Sequence, residues 1–104
     1  MAGAVHVIAF ITAAPGKKDR ILEVLVATAA KIKENEPDTL QYEFYWDEKN
    51  GQFVFIEKYK NSDAVTAHRG QPYYSEIKAL AEAEQLLAAP IEARLIAPVG
   101  GFAR

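Results

Sequence analysis

The sequence predicts an α+β domain in the order β-α-β-β-α-β, and three observations carry that expectation. Two alternating apolar runs, Thr39 to Trp46 and Gln52 to Tyr59, flank Asn50-Gly51, a strong short-range hairpin signal. Ahead of them Ile21, Leu25, Thr28 and Ile32 recur at i, i+4, i+7 and i+11, the stripe of a core-facing helix. Behind them a proline-led helical stretch from Pro72 is followed, after Pro90, by a last apolar run. Strand, helix, hairpin, helix pair and strand make the ferredoxin-like pattern, in which antiparallel strands carry their helices on one side.

The elements follow in order. Val5 to Thr12 (VHVIAFIT) is rich in β-branched residues and stops at Ala-Ala-Pro15-Gly16. A helix from about Lys17 to Asn35 comes next, its stripe widened by Leu22, Val26 and Ala29. Glu36-Pro37-Asp38 ends it, because the residue before proline is pushed out of the helical region. In the hairpin Leu40, Tyr42, Phe44 and Trp46 share one face, and Phe53, Phe55, Glu57 and Tyr59 share one face of the returning strand. Asn61 or Ser62 caps a short helix through His68 that Gly70 ends. The last helix runs from Tyr73 to about Ala88, and the last strand from Ile91 to Val99.

Composition narrows the function classes. The 104 residues form one domain of ordinary size, half hydrophobic and a quarter charged. A formal net charge of −2 gives no footprint for nucleic acid or an anionic membrane. The absence of cysteine excludes disulfides, thiolate nucleophiles, iron–sulfur clusters and cysteine zinc sites. His6 and His68, the two histidines, do not make a metal-ligand spacing. MAGAVHVIAF lacks the basic region of a leader, and its apolar run is too short to span a membrane. The expectation is a soluble cytoplasmic protein.

The sheet is apolar on both faces. Ile8 and Phe10 oppose Val7 and Ile11, and Val54 and Ile56 oppose Phe53 and Phe55. Helices cover one face; an exposed apolar patch of that size would be abnormal on a monomer. A second copy packed sheet on sheet, in a two-fold homodimer, is the expected cover.

Taken together, these residues resemble the antibiotic biosynthesis monooxygenase (ABM) family, whose members are dimeric α+β barrels. The likeness lies in the opening strand running into Pro15-Gly16 and in Glu36-Pro37 at the end of the first helix. It continues through Leu40-Gln41-Tyr42-Glu43, Phe55-Ile56-Glu57-Lys58-Tyr59, and Ala67-His68 followed by Pro72-Tyr73. The small quinol monooxygenases of the family are similar too. The resemblance implies oxidation of an anthrone-, quinol- or polyphenol-type aromatic by O2, with no metal or flavin cofactor. The chain has Tyr59 where many members have tryptophan, and Asp38 where many have glycine. Against the Asn, Trp and His of the haem-degrading branch it places Ala9, His68 and Lys78, which argues against that activity.

Cofactor-free oxygenation needs a base near neutrality, polar positioning groups and a dry apolar wall. His68 is the candidate catalytic base; its structural alternative is a partly buried histidine fixing the short helix to the sheet. His6 reads as a rim or surface residue. Tyr42, Trp46, Tyr59, Tyr73 and Tyr74 are candidates to hold an aromatic substrate by stacking and phenol hydrogen bonds, or are simply core. Glu57 is a carboxylate in an apolar strand, either facing the substrate or paired structurally with Arg94 or Lys58. Arg69, beside His68, is a candidate to stabilise an anionic intermediate or is solvated. Two other readings stay open: a non-oxidative isomerase or cyclase on the same barrel, and a non-enzymatic dimeric binding or stress-response module.

Overall fold

The computed structural model describes residues 3–104. Residues 1 and 2, at the start of the segment read as lacking a leader, lie outside it. The elements are β1 (Val5–Thr12), α1 (Lys18–Asn35), β2 (Thr39–Asp47), β3 (Gln52–Tyr59), α2 (Ser62–Arg69), α3 (Pro72–Ala83) and β4 (Glu92–Ile96). The sheet is antiparallel throughout and ordered β2-β3-β1-β4, so the fold is the expected ferredoxin-like α+β. Among the described residues no helix is long and apolar enough to cross a membrane.

Alternation divides the sheet as the sequence pattern requires. Val7 and Ala9 of β1 and Phe53, Phe55, Glu57 and Tyr59 of β3 are all buried beneath the helices. The stripe Ile21, Leu25, Thr28 and Ile32 supplies the buried face of α1. Leu22 and Val26, expected to widen it, are instead exposed, because they fall on the side of the helix turned away from the sheet. On the outer face Ile8, Phe10, Val54 and Ile56 are only half-buried, and Tyr45 and Ile96 are 55% and 47% exposed.

Three details differ from expectation. Leu40 is exposed rather than aligned with Tyr42, because a register shift between Thr39 and Gln41 turns it out. The hairpin turn carries Asn50-Gly51, as the sequence signal suggests. Asp47 pairs with Gln52, residues 48–51 form the loop, and the Asp47 carboxylate accepts from the Asn50 backbone and side-chain nitrogens at 3.2 and 2.7 Å. Gly51, at φ 63°, supplies the left-handed residue the loop needs.

The last helix stops at Ala83, not Ala88. Gln85 takes φ 52°, its N–H bonds to Glu82 O at 3.2 Å, and Leu86 N–H bonds to Ala81 O at 3.0 Å. That is a Schellman closure with glutamine where glycine is usual. It turns Leu86 into the core, 3% exposed, and brings the chain back along β1 through Ala88 N to Thr12 O. The last strand is shortened to Glu92–Ile96, pairing with β1 only from Phe10 to His6.

Candidate functional site

Between the inner face of the sheet and the helices lies a cavity of about 120 Å³. Its apolar wall comes from Val7, Ala9, Leu25, Phe55, Val65 and Ile77. Its polar wall comes from Tyr42, Glu57, Tyr59, His68, Tyr73 and Tyr74. Strand alternation explains the first group of polar residues. Tyr42 stands opposite Glu57 in the β2–β3 register, and Glu57 and Tyr59 share the buried face of β3.

His68 comes from the last turn of α2, a helix whose start is fixed by Asn61 accepting the Ala64 N–H at 2.9 Å. The imidazole is buried, 7% exposed, and its Nδ1 lies 2.8 Å from Glu36 Oε1. Glu36 is the C-cap of α1, followed directly by Pro37. Its carboxylate also accepts from Thr39 Oγ1 at 2.8 Å and from the Tyr73 hydroxyl. A carboxylate that already takes two donors can only accept again, so Nδ1 is the nitrogen that carries hydrogen. That leaves Nε2 of the neutral ring as an acceptor.

Nε2 has no protein partner among the described residues, and no side-chain nitrogen or oxygen that is shut off from solvent lacks one. Since His68 lines the cavity, its free nitrogen opens onto it. The Tyr42 hydroxyl is free in the same way. The aromatic rings crowd the imidazole: Tyr42, Tyr59 and Tyr74 have centroids 5.9, 5.4 and 5.4 Å from it.

In the same cluster the Tyr59 hydroxyl donates to Glu57. Burial pushes the Glu57 carboxyl above its ordinary value, only partly offset by that hydrogen bond and by His68 and Arg69. Burial, reinforced by Glu57 and Glu36, also holds the phenols of Tyr42 and Tyr59 far above their usual range. Tyr73 is raised by burial and by its bond to Glu36. The phenols are therefore neutral donors, and the site pairs one open imidazole acceptor with several un-ionised O–H groups.

Most of the candidates meet here: His68, Tyr42, Tyr59, Tyr73, Tyr74 and Glu57 all line the cavity. Trp46 does not. It lies towards the opposite end of β2, its ring 4.8 Å from Phe53 and beneath the Lys18 ammonium at 4.7 Å, with its N–H donating to Glu48. Neither Arg94 nor Lys58 partners Glu57: Lys58 projects from the other sheet face, where Arg94 bonds Glu92 and stacks 5.4 Å over Phe10. Arg69, exposed, lines the cavity, and so does Lys78. Among the described residues no three or more His, Asp or Glu side chains stand close enough to hold a metal ion.

The functional residue that periodicity missed is Glu36. One signal was present: an acidic residue at a helix C-terminus opposes the helix dipole, and such a breach of a local rule asks for a reason.

A model of the antibiotic biosynthesis monooxygenase family matches residues 4–80. The chain belongs to that family. Rv0793 of Mycobacterium tuberculosis is 27% identical over 99 residues, covering 95% of both chains. Its structure superposes with a TM-score of 0.79. PA3566 of Pseudomonas aeruginosa gives 0.81 at 26% identity, over 96% of this chain and 98% of that one. The Synechocystis protein sll1783 is 32% identical over 82 residues, 78% of this chain but 54% of its own length. The present chain thus spans about half of that relative. The family match takes in Glu36, His68 and Tyr73, so the hydrogen-bonded core of the site lies inside the ABM segment.

Glu57 gives the site a measurable pH signature. With its folded value raised, the stability supplied by its proton is complete below its ordinary value near 4.5 and is lost as pH rises through the raised value. Glu57→Gln keeps the shape and the acceptor for Tyr59 but cannot ionise. Between about pH 4 and about pH 8 the wild type should lose more urea-unfolding free energy than Glu57→Gln. Equal losses in the two proteins would contradict a raised carboxyl.

Proposed function

We propose that this ABM protein is a cofactor-independent monooxygenase that oxidises a quinol-, anthrone- or polyphenol-type aromatic with O2, with His68 as its base. The observation that carries the reading is the division of labour on one ring: Nδ1 held by Glu36 at 2.8 Å, Nε2 open to an aromatic-lined cavity. Membership of a monooxygenase family supports the reaction class.

The chemistry follows from spin. Triplet oxygen does not combine directly with a singlet aromatic, so the substrate must first become an electron donor. In the proposed step His68 Nε2 removes the proton of a phenol or of an activated CH2, and Glu36 stabilises the resulting imidazolium. The Tyr42 hydroxyl donates to the developing oxyanion, a role its neutral phenol fits. The anion passes one electron to O2, the radical pair combines as a C–O bond, and loss of water leaves a carbonyl. For a quinol the balance is one quinol and one dioxygen giving one hydroxyquinone and one water. One oxygen atom enters the product, and the other leaves as water with two hydrogens of the quinol. Apolar walls keep bulk water from quenching the anion.

Oxygen uptake with a panel of hydroquinones and anthrones, with chelator present and no added flavin, tests this. Wild type should consume oxygen; His68→Ala should lower kcat by about 10²–10⁴-fold. Glu36→Gln should lower kcat less, with KM little changed, because it disturbs the base and not the wall. No chelator-resistant uptake, or uptake unchanged in His68→Ala, would remove the proposal.

We further infer that a second copy covers the outer face carrying Ile8, Phe10, Val54, Ile56 and the exposed Tyr45. Sedimentation at micromolar concentration should give twice the 11.5 kDa of one chain. A monomer would contradict it.

A further inference from the structure

Two features of the cavity narrow its occupant. The first is size. At about 120 Å³ it is close to the apolar cavity of roughly 150 Å³ that accepts benzene, and well under the roughly 300 Å³ at which pockets for larger ligands begin. A single ring is enough to fill it, so of the substrate types proposed above the one-ring quinol matches it best.

The second is the distribution of charge. Inside, Glu36 is matched by its three donors, and the Glu57 carboxyl is biased towards its neutral form. Arg69, at the end of α2, and Lys78, on α3, line the same cavity, and both are exposed. Among the described residues the salt bridges involve Arg20, His68 and Arg94, and neither Arg69 nor Lys78. Lys78 does not extend freely into solvent: its ammonium lies 4.9 Å over the Tyr74 ring, on the cavity wall. Arg69 stands near enough to Glu57 for its charge to be felt there. Lys78 and Ile91 also border a surface groove of about 660 Å³, so Lys78 marks a side on which the cavity meets the surface. Glu82, one turn beyond Lys78, lines that groove and not the cavity.

We propose that the cavity takes a single-ring phenol or quinol bearing a carboxylate, with the ring against His68 and Tyr42 and the carboxylate bound by Arg69 and Lys78. This rests on the reading of the site given above and adds the substrate class. The two cations are specificity determinants: they act on the substituent, not on the reacting carbon.

The test is binding without turnover. Calorimetric titration under anaerobic conditions at low salt compares 2,5-dihydroxybenzoate with 2,5-dihydroxybenzamide, which matches it in size and hydroxyl pattern but is neutral. The wild type should bind the acid about 10-fold more tightly, a gap that narrows with added salt. In Arg69→Gln/Lys78→Gln, both positions being exposed, the ratio should fall to about 1. Equal affinities in the wild type, a preference that survives in the double variant, or no binding of either compound would overturn the proposal. Because oxygen is absent, a preference found in a protein that consumes no oxygen would leave the carboxylate site standing and remove the oxygenase reading. Oxygen uptake without the preference would do the reverse.

Discussion

One buried carboxylate holds the functional half of this molecule together. Glu36 sits at the end of α1, where the helix dipole disfavours it, and is only 6% exposed. A charge in that position is tolerable only if fully hydrogen-bonded. Its donors come from the start of β2 (Thr39), the end of α2 (His68) and the start of α3 (Tyr73). Four elements are thus fixed relative to one another by one group. Removing any donor leaves a buried acceptor short of a partner, at a cost of about 1–3 kcal/mol. The same arrangement sets the imidazole tautomer, so the structural role of His68 and the chemical role proposed for it are not alternatives. The ring fixes α2 through Nδ1 and faces the cavity through Nε2.

The two faces of the sheet carry different burdens. The inner face is apolar with polar interruptions, Tyr42, Glu57 and Tyr59, and those interruptions gather around His68. The outer face sets Ile8, Phe10, Val54 and Ile56 among charged residues such as Lys58, Glu92 and Arg94 and gathers no such cluster, which suits packing rather than chemistry. An isomerase would use the same base and the same neutral phenols, since proton transfer to and from carbon asks for nothing else. Molecular oxygen is what separates the proposed reaction from that one.

Periodicity made the fold legible. The stripe Ile21, Leu25, Thr28, Ile32 and the buried row Phe53, Phe55, Glu57, Tyr59 are where spacing alone puts them. Failures occurred where one residue's backbone decided the outcome. Gln85 adopts a left-handed conformation that its type does not advertise, and so α3 ends five residues before the apparent stop at Ala88. A bulge after Thr39 turned Leu40 outward, although alternation placed it with Tyr42. The candidate site was legible as a set of chemical types, yet Trp46 and Tyr42, alike in face and strand, separate along β2 into core and cavity. That distance along the strand is invisible to a period of two. Glu36 was missed because its partners are 3, 32 and 37 residues away, and only the fold brings the last two to it.

The central claim is that a base at His68 makes an aromatic react with oxygen itself. Mass spectrometry of the product formed under ¹⁸O2, with chelator present, measures that most directly. The account predicts one ¹⁸O atom in each product molecule, the other appearing in water. A product that forms without label, or forms equally well in the absence of oxygen, would contradict it.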